Sequence, residues 1–239
     1  MPMNDREFPL FRHEEKFLIT NIDAEIIKQQ IAMICMPDSH TGDDGYYNIK
    51  SIYFDTINNK FLRETIDGVD IRHKYRIRAY NNDLSHIAFE IKYSESGLKR
   101  KESDLISEAT YKELIGNNLL SVDSDSTTVI RKIQDESLLY PIVPVVMVGY
   151  KRMPFVHPMG NVRITFDSDI IASSDLDSFY ESDIKNYTDV LPGMQVLEVK
   201  YDEFLPRQIR NILNRNGLLN QSSFSKYANA RETLNKGAY

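Results

Sequence analysis

The strongest constraint in this chain is a parity rule. Several strand-like segments carry charge on one face and apolar side chains on the other, because successive residues of a strand point to opposite sides. In Lys74-Tyr75-Arg76-Ile77-Arg78-Ala79-Tyr80 the cations Lys74, Arg76 and Arg78 share a face opposite Tyr75, Ile77 and Ala79. In Ala88 to Tyr93, Glu90 and Lys92 oppose Phe89, Ile91 and Tyr93. Phe11 to Phe17 aligns Arg12, Glu14 and Lys16, Val162 to Asp167 aligns Arg163, Thr165 and Asp167, and Val196 to Tyr201 aligns Glu198 with Lys200. For a single strand this pattern describes an antiparallel sheet with one wet face. Repeated with arginines two residues apart, it crowds like charges on one face, and an anionic ligand would offset the repulsion.

A sheet of this kind is satisfied by curling into a barrel wrapped outside by helices, its charged face lining a wet channel. The candidate inward groups are Arg12, Lys16, Lys74, Arg76, Arg78, Lys92, Lys99, Lys101, Arg152, Arg163, Lys200 and Lys226, against Glu14, Glu90 and Glu198. The fold class is α+β. At 239 residues one domain spanning 1–239 is expected, since barrels reach this length and no repeat or low-complexity linker divides the chain. Helices are expected from Asn21 or Asp23 to Cys35 with an Ile22, Ile26, Ile27, Ile31 stripe, over 58–66, over 107–116, from Asp125 or Ser126 to about 139, after Pro206 to Gly217, and over about 225–235. Met36 to Tyr47 reads as a loop, and the acidic stretch Ala172 to Tyr187 as a mobile or variable surface segment.

Composition narrows the function. Lys plus Arg number 29 against 35 Asp plus Glu, a formal charge of −6, which disfavours a nucleic-acid binder relying on overall basicity. The single cysteine, Cys35, forbids an intrachain disulfide and reads as a buried small hydrophobe in a reducing compartment. The polar opening residues lack the apolar stretch of a secretory signal, and no run approaches the ~20 apolar residues that span a bilayer. A cytoplasmic protein without a membrane segment is expected.

A cation-lined hollow suits a long, linear, highly charged anion such as inorganic polyphosphate or a nucleoside triphosphate. Each charge-assisted bond to phosphate contributes roughly 1.5–3 kcal/mol. The scarce glutamates could hold Mg²⁺ or Mn²⁺, which needs only one or two carboxylates when phosphates and water complete the shell. No P-loop and no Gly-x-Gly-x-x-Gly turn occurs, and the histidines 13, 40, 73, 86 and 157 lack metal-ligand spacing. Tyr75, Tyr93 and Tyr201 fall on the apolar parity and pack under helices, while Phe155 reads as either core or a base contact.

The segments HEEKF (13–17), SIYFDT (51–56), YRIRAY (75–80), FEIKY (89–93), LKRKE (98–102), YKRMPF (150–155), RITFDSD (163–169), VLEVKYD (196–202) and SFSKYANAR (223–231) resemble, in this order, the polyphosphate polymerase domain of vacuolar transporter chaperones, within the triphosphate tunnel metalloenzymes that include CYTH proteins. The resemblance implies an eight-stranded antiparallel tunnel barrel that binds ATP and polyphosphate and transfers the γ-phosphoryl group with Mn²⁺ or Mg²⁺. Matched position by position, Arg76, Arg78, Lys99 and Arg163 carry the catalytic role. Lys16, Lys92, Lys101, Arg152, Lys200 and Lys226 bind phosphate, and Glu198 holds the metal. CYTH proteins usually open with Glu-x-Glu-x-Lys, whereas Arg12 stands here where the first carboxylate would be. That favours polymerisation over a two-metal hydrolysis. The eukaryotic polymerase sits beside a regulatory domain and membrane helices, neither of which is expected in this chain, so coupled translocation across a membrane is not implied for it alone. Tripolyphosphate or nucleoside triphosphate hydrolysis, and binding without turnover, are the alternatives.

Overall fold

The computed structural model describes residues 11–39, 41–42, 44–116, 119 and 128–236. The strands are β1 (His13–Thr20), β2 (Met36–Pro37), β3 (Tyr47–Thr56), β4 (Arg72–Tyr80), β5 (Asp83–Glu95), β6 (Leu98–Ile106), β7 (Ile142–His157), β8 (Val162–Ser173), β9 (Tyr187–Asp189) and β10 (Met194–Tyr201). The helices are α1 (Asn21–Ala32), α2 (Lys60–Ile66), α3 (Glu108–Ile115), α4 (Thr128–Ser137), α5 (Arg207–Arg215) and α6 (Lys226–Lys236).

Every ladder is antiparallel, and the main path runs β1-β10-β8-β7-β3-β4-β5-β6, with β2 on β7 and β9 on β8. The two ends of this eight-strand path meet at one bridge, where Arg12 N donates to Lys99 O at 3.0 Å and Lys99 N to Arg12 O at 3.1 Å. Register shifts at Tyr53/Phe54, Arg78/Tyr80 and Gly149/Lys151 bend the strands and deepen the curl. The expected curled antiparallel sheet is therefore present, with the parity that the sequence displays.

Its apolar face is covered in two patches. Phe17, Ile164, Phe166, Leu197 and Val199 pack under Ile27 and Ile31 of α1 and Ile209 and Leu213 of α5. Ile52, Phe54, Tyr75, Ile77, Phe89 and Ile91 pack under Phe61 of α2, Tyr111 and Leu114 of α3, and Ile130 and Ile133 of α4. Each such side chain contributes roughly 1.5–3 kcal/mol on burial, which makes the outer face the main source of stability. Phe155 lies in the first patch against Phe166 (ring centroids 6.0 Å), so it is core and not a base contact.

α6 behaves differently. Phe224, Tyr227 and Ala230 pack against Tyr47, Ile49, Tyr53, Val146, Val148 and Val196. These residues belong to the parity of the arginines, since Tyr53 is the cross-strand partner of Arg76 and Tyr47 that of Arg152. The last helix is thus seated on the inner face.

Three local expectations are corrected. α1 begins without a linker after β1, so Thr20, still extended, is its cap and accepts from Asp23 N at 3.1 Å, in place of Asn21 or Asp23. Its buried stripe is Ala24, Ile27 and Ile31, whereas Ile22 and Ile26 are 75% and 46% exposed because α1 touches the barrel along one narrow line. The stretch 172–187 is anchored and not free: Phe179 is buried and stacks on Tyr111, and Gly149 leaves no room for a Cβ, which would lie 2.4 Å from Ile184 Cδ1. Pro206 precedes α5 and Gly217, at φ +74°, follows it, as the sequence suggests. The expected start of α4 at Asp125 or Ser126 lies outside the described residues.

Candidate functional site

The inner face gathers its cations because β4, β5 and β6 align in register. Lys74 stands opposite Lys92, which stands opposite Lys101; Arg76 stands opposite Glu90. Across the hollow, Lys16 stands opposite Glu198 and Glu14 opposite Lys200, while Arg152 stands opposite Asp167.

Four buried carboxylates organise these cations. Glu14 meets Lys92 at 2.9 Å and Lys16 at 3.2 Å, and lies 3.7 Å from Lys200. Glu198 lies 2.8 Å from Lys200, 3.8 Å from Lys16 and 3.9 Å from Arg152. Glu90 holds Arg76 at 2.6 Å and Lys101 at 2.7 Å, with Arg78 at 3.7 Å. Asp167 accepts a forked pair from Arg152 (2.6 and 2.7 Å) and a third bond from Lys226 at 2.5 Å.

Titration follows from this crowding. Burial alone would raise the carboxyls, but Arg76 and Arg78 beside Glu90, and Lys200, Lys16 and Arg152 beside Glu198, hold both well below the usual range. Glu14 is lowered too, by Lys92, Lys16 and Lys200 against burial and the neighbouring Glu198. Burial, aided by Lys16 and Lys200 against the pull of Glu14, brings Lys92 down to about 7. Lys74 is pushed well below its ordinary value by burial and by Lys16 and Lys92. Among the described residues no carboxylate lies within ion-pair distance of it; its ammonium donates to Ser225 Oγ at 3.1 Å and faces the Tyr227 ring. Tyr53 and Tyr80 are lowered despite burial, because Arg76 and Arg78 favour a phenolate.

Lys16, Arg76, Arg78, Lys92, Lys101, Arg152, Lys200, Lys226 and Glu198 thus lie on one inner face; strand parity points there for Lys16, Arg76, Arg78, Lys92, Lys200 and Glu198, whereas Lys226 arrives from the start of α6. Lys101 belongs to the inner face, and Arg100 lies outside over Tyr93 (4.1 Å to the ring). Lys99 is inward beside Ser94, to which it donates at 2.6 Å. Arg163 lies at the rim, held by Asp38 (2.6 Å) and donating to Tyr47 Oη at 2.8 Å. Arg12, expected inside, turns instead to Asp202 at 2.7 Å and the Asn161 carbonyl, because β1 begins at the rim. In the sequence Asp167 shows only as a polar-face residue, and nothing there assigns Tyr53, Tyr80 or Tyr150. Tyr80 shares the parity of Arg76 and Arg78, and that signal could have found it.

A divalent cation must fit these donors. Among the described residues no group of three or more His, Cys, Asp or Glu could enclose one. A phosphate-bridged ion needs fewer protein oxygens, and Glu198 is the candidate: its buried Oε1 has Lys200 Nζ as an ion-pair neighbour at 2.8 Å but no aligned hydrogen bond, and it lies next to the carboxylate of Glu14.

No curated protein matches the chain. Solved structures share its fold, among them these two. A Bacillus halodurans protein assigned as an adenylate cyclase is 15% identical, with a TM-score of 0.51, covering 90% of this chain and 94% of that one. A Hippeastrum protein assigned as an adenylyl cyclase, described as having a dominant triphosphatase activity, is 13% identical with a TM-score of 0.54, covering 92% and 95%. The family model of the VTC domain matches residues 11–235, which takes in every described strand and helix core, and the chain belongs to the VTC domain family.

Proposed function

We propose that the protein is a metal-dependent phosphotransferase of the polyphosphate polymerase type, taking ATP as donor and a phosphate chain as acceptor. The observation that carries this reading is the inward excess of lysine and arginine, summed up in Lys74, a half-buried lysine that among the described residues has no carboxylate partner. Lys16, Lys92, Lys101, Arg152, Lys200 and Lys226 would bind phosphate oxygens. Arg76 and Arg78, with Lys99 and the rim Arg163, would neutralise charge developing on the transferred group. A terminal oxygen of the acceptor attacks the γ-phosphorus, that phosphorus parts from the β–γ bridging oxygen, and ADP leaves. Positioning and charge neutralisation are sufficient machinery for such a transfer. Glu198, with Glu14, would hold Mn²⁺ or Mg²⁺, whose contribution is to neutralise phosphate charge.

The test is incubation of the protein with ATP and Mn²⁺ or Mg²⁺, followed by gel analysis of products. Long phosphate chains support the reading. Free phosphate alone would replace it with hydrolysis, and tight binding without turnover with a polyphosphate-binding module. No helix among the described residues is long and apolar enough to cross a membrane.

A further inference from the structure

The hollow has a floor. Where the chain leaves α5 it crosses the inner face before entering α6, pinned there by a backbone bond to β1, and Phe224 O and Ser225 Oγ accept from the ammonium groups of Lys16 and Lys74. Ser222 N donates to Lys16 O at 2.7 Å, Lys16 Nζ donates to Phe224 O at 3.2 Å, and Lys74 donates to Ser225 Oγ. Behind these contacts the Tyr227 ring lies 5.2 Å from that of Tyr53, and its hydroxyl donates to the buried Asp55. The apolar packing of α6 then continues to Ala230. Along β3 and β4 this floor lies at the Asp55 and Lys74 end, opposite Tyr47 and Tyr80.

At the floor Lys16 is paired with Glu14 and Glu198, but among the described residues Lys74 is not paired with a carboxylate. Glu90 and Asp167 engage Arg76, Arg78, Arg152 and Lys226, whereas among the described residues Lys74 meets a hydroxyl and a ring and no carboxylate. An internal phosphate of a chain carries one negative charge. The terminal group carries a second ionisable oxygen, close to doubly charged at neutral pH, as a phosphate monoester is. The most negative part of such a ligand is therefore its end, and the depressed Lys74 ammonium regains its charge most readily against it.

Resting on the function proposed above, we infer that the Lys74 floor is a terminal-phosphate pocket, so that the protein grips phosphate chains by an end and each chain end engages one protein molecule.

Binding stoichiometry tests this. Calorimetry and sedimentation are run in EDTA with tripolyphosphate, with homogeneous polyphosphates of increasing length, and with a long polyphosphate bearing a bulky amide-linked group on both termini. One protein per tripolyphosphate, two per long chain whatever its length, and loss of binding to the blocked chain are expected. Lys74→Met should weaken tripolyphosphate binding about tenfold or more, the loss of one charge-assisted contact, with circular dichroism unchanged. A number of bound proteins that grows with chain length, retained binding of the blocked chain, or an unaltered affinity in a folded Lys74→Met variant would each overturn end recognition while leaving phosphate binding intact. Failure of every phosphate chain to bind would overturn both readings.

Discussion

Arg152 and Asp167 face each other across β7 and β8 as a forked ion pair, with Nε 2.6 Å and Nη2 2.7 Å from the two carboxylate oxygens. The pair is buried, and Lys226 joins α6 to the same carboxylate. One side chain thereby fastens the last helix to the barrel wall and sets the position of two cations.

Asp167→Asn should therefore act on stability and binding in opposite directions. Removing one partner of a buried pair costs about 3–5 kcal/mol, measurable by urea denaturation. With Arg152 and Lys226 released, tripolyphosphate should raise the Tm of the variant more than that of the parent protein. An equal shift in both would disprove the charge-release argument.

Arg76 and Arg163 separate centre from rim. Arg76→Ala removes a cation from beside Glu90, which keeps Lys101 and Arg78, so the fold should survive while tripolyphosphate binding falls roughly 10- to 100-fold. Arg163→Ala should cost less, since that guanidinium is a third exposed and already engaged by Asp38. Normal calorimetric binding by Arg76→Ala would show that its face is not the ligand face.

Proton linkage provides an independent readout. Lys92 titrates near 7 in the folded protein, so at pH 8 it is largely neutral, and an incoming polyanion favours its charged form. Tripolyphosphate binding at pH 8 should then take up protons, seen as a dependence of calorimetric enthalpy on the ionisation enthalpy of the buffer, and affinity should fall as pH rises above 7. In the free protein the sign reverses: the folded state holds fewer protons than the unfolded chain between 7 and 10.5, so this lysine lets stability rise across that window. Lys92→Gln should reduce the proton uptake; the same uptake in that variant would refute the assignment.

Glu198→Gln tests the metal role. Triphosphate binding in EDTA should hold or tighten, because a negative charge leaves a field of cations, whereas turnover across a Mn²⁺ titration should drop by at least tenfold. Unchanged turnover would remove Glu198 from the metal's coordination shell.

The parity of β4, β5, β8 and β10 is legible because two-residue periodicity is rigid: once a strand is placed, each side chain's face follows. Assigning Lys99 and Lys101, and not Arg100, to the inner face follows from it. What sequence could not show was partnership. That Asp167 joins Arg152 and Lys226 depends on register between strands far apart in the chain. The inner seat of α6 was hidden for a related reason: Tyr227 and Ala230 form an ordinary amphipathic stripe, and nothing in that stripe says which side of a sheet it will meet. Arg12 obeys its parity but sits where the strand begins, and there Asp202 outcompetes the interior.

The single Arg12 and Lys99 bridge has a mechanical consequence. Most neighbouring strands are zipped by a full ladder, yet among the described residues the seam between β1 and β6 rests on two backbone hydrogen bonds, together worth about 1–3 kcal/mol. Nearby, Glu14 clasps Lys92 across it. On the proposed function, a polyanion that draws Lys92 away would compete with the clasp that shuts the wall, and loading the protein would then loosen its seam.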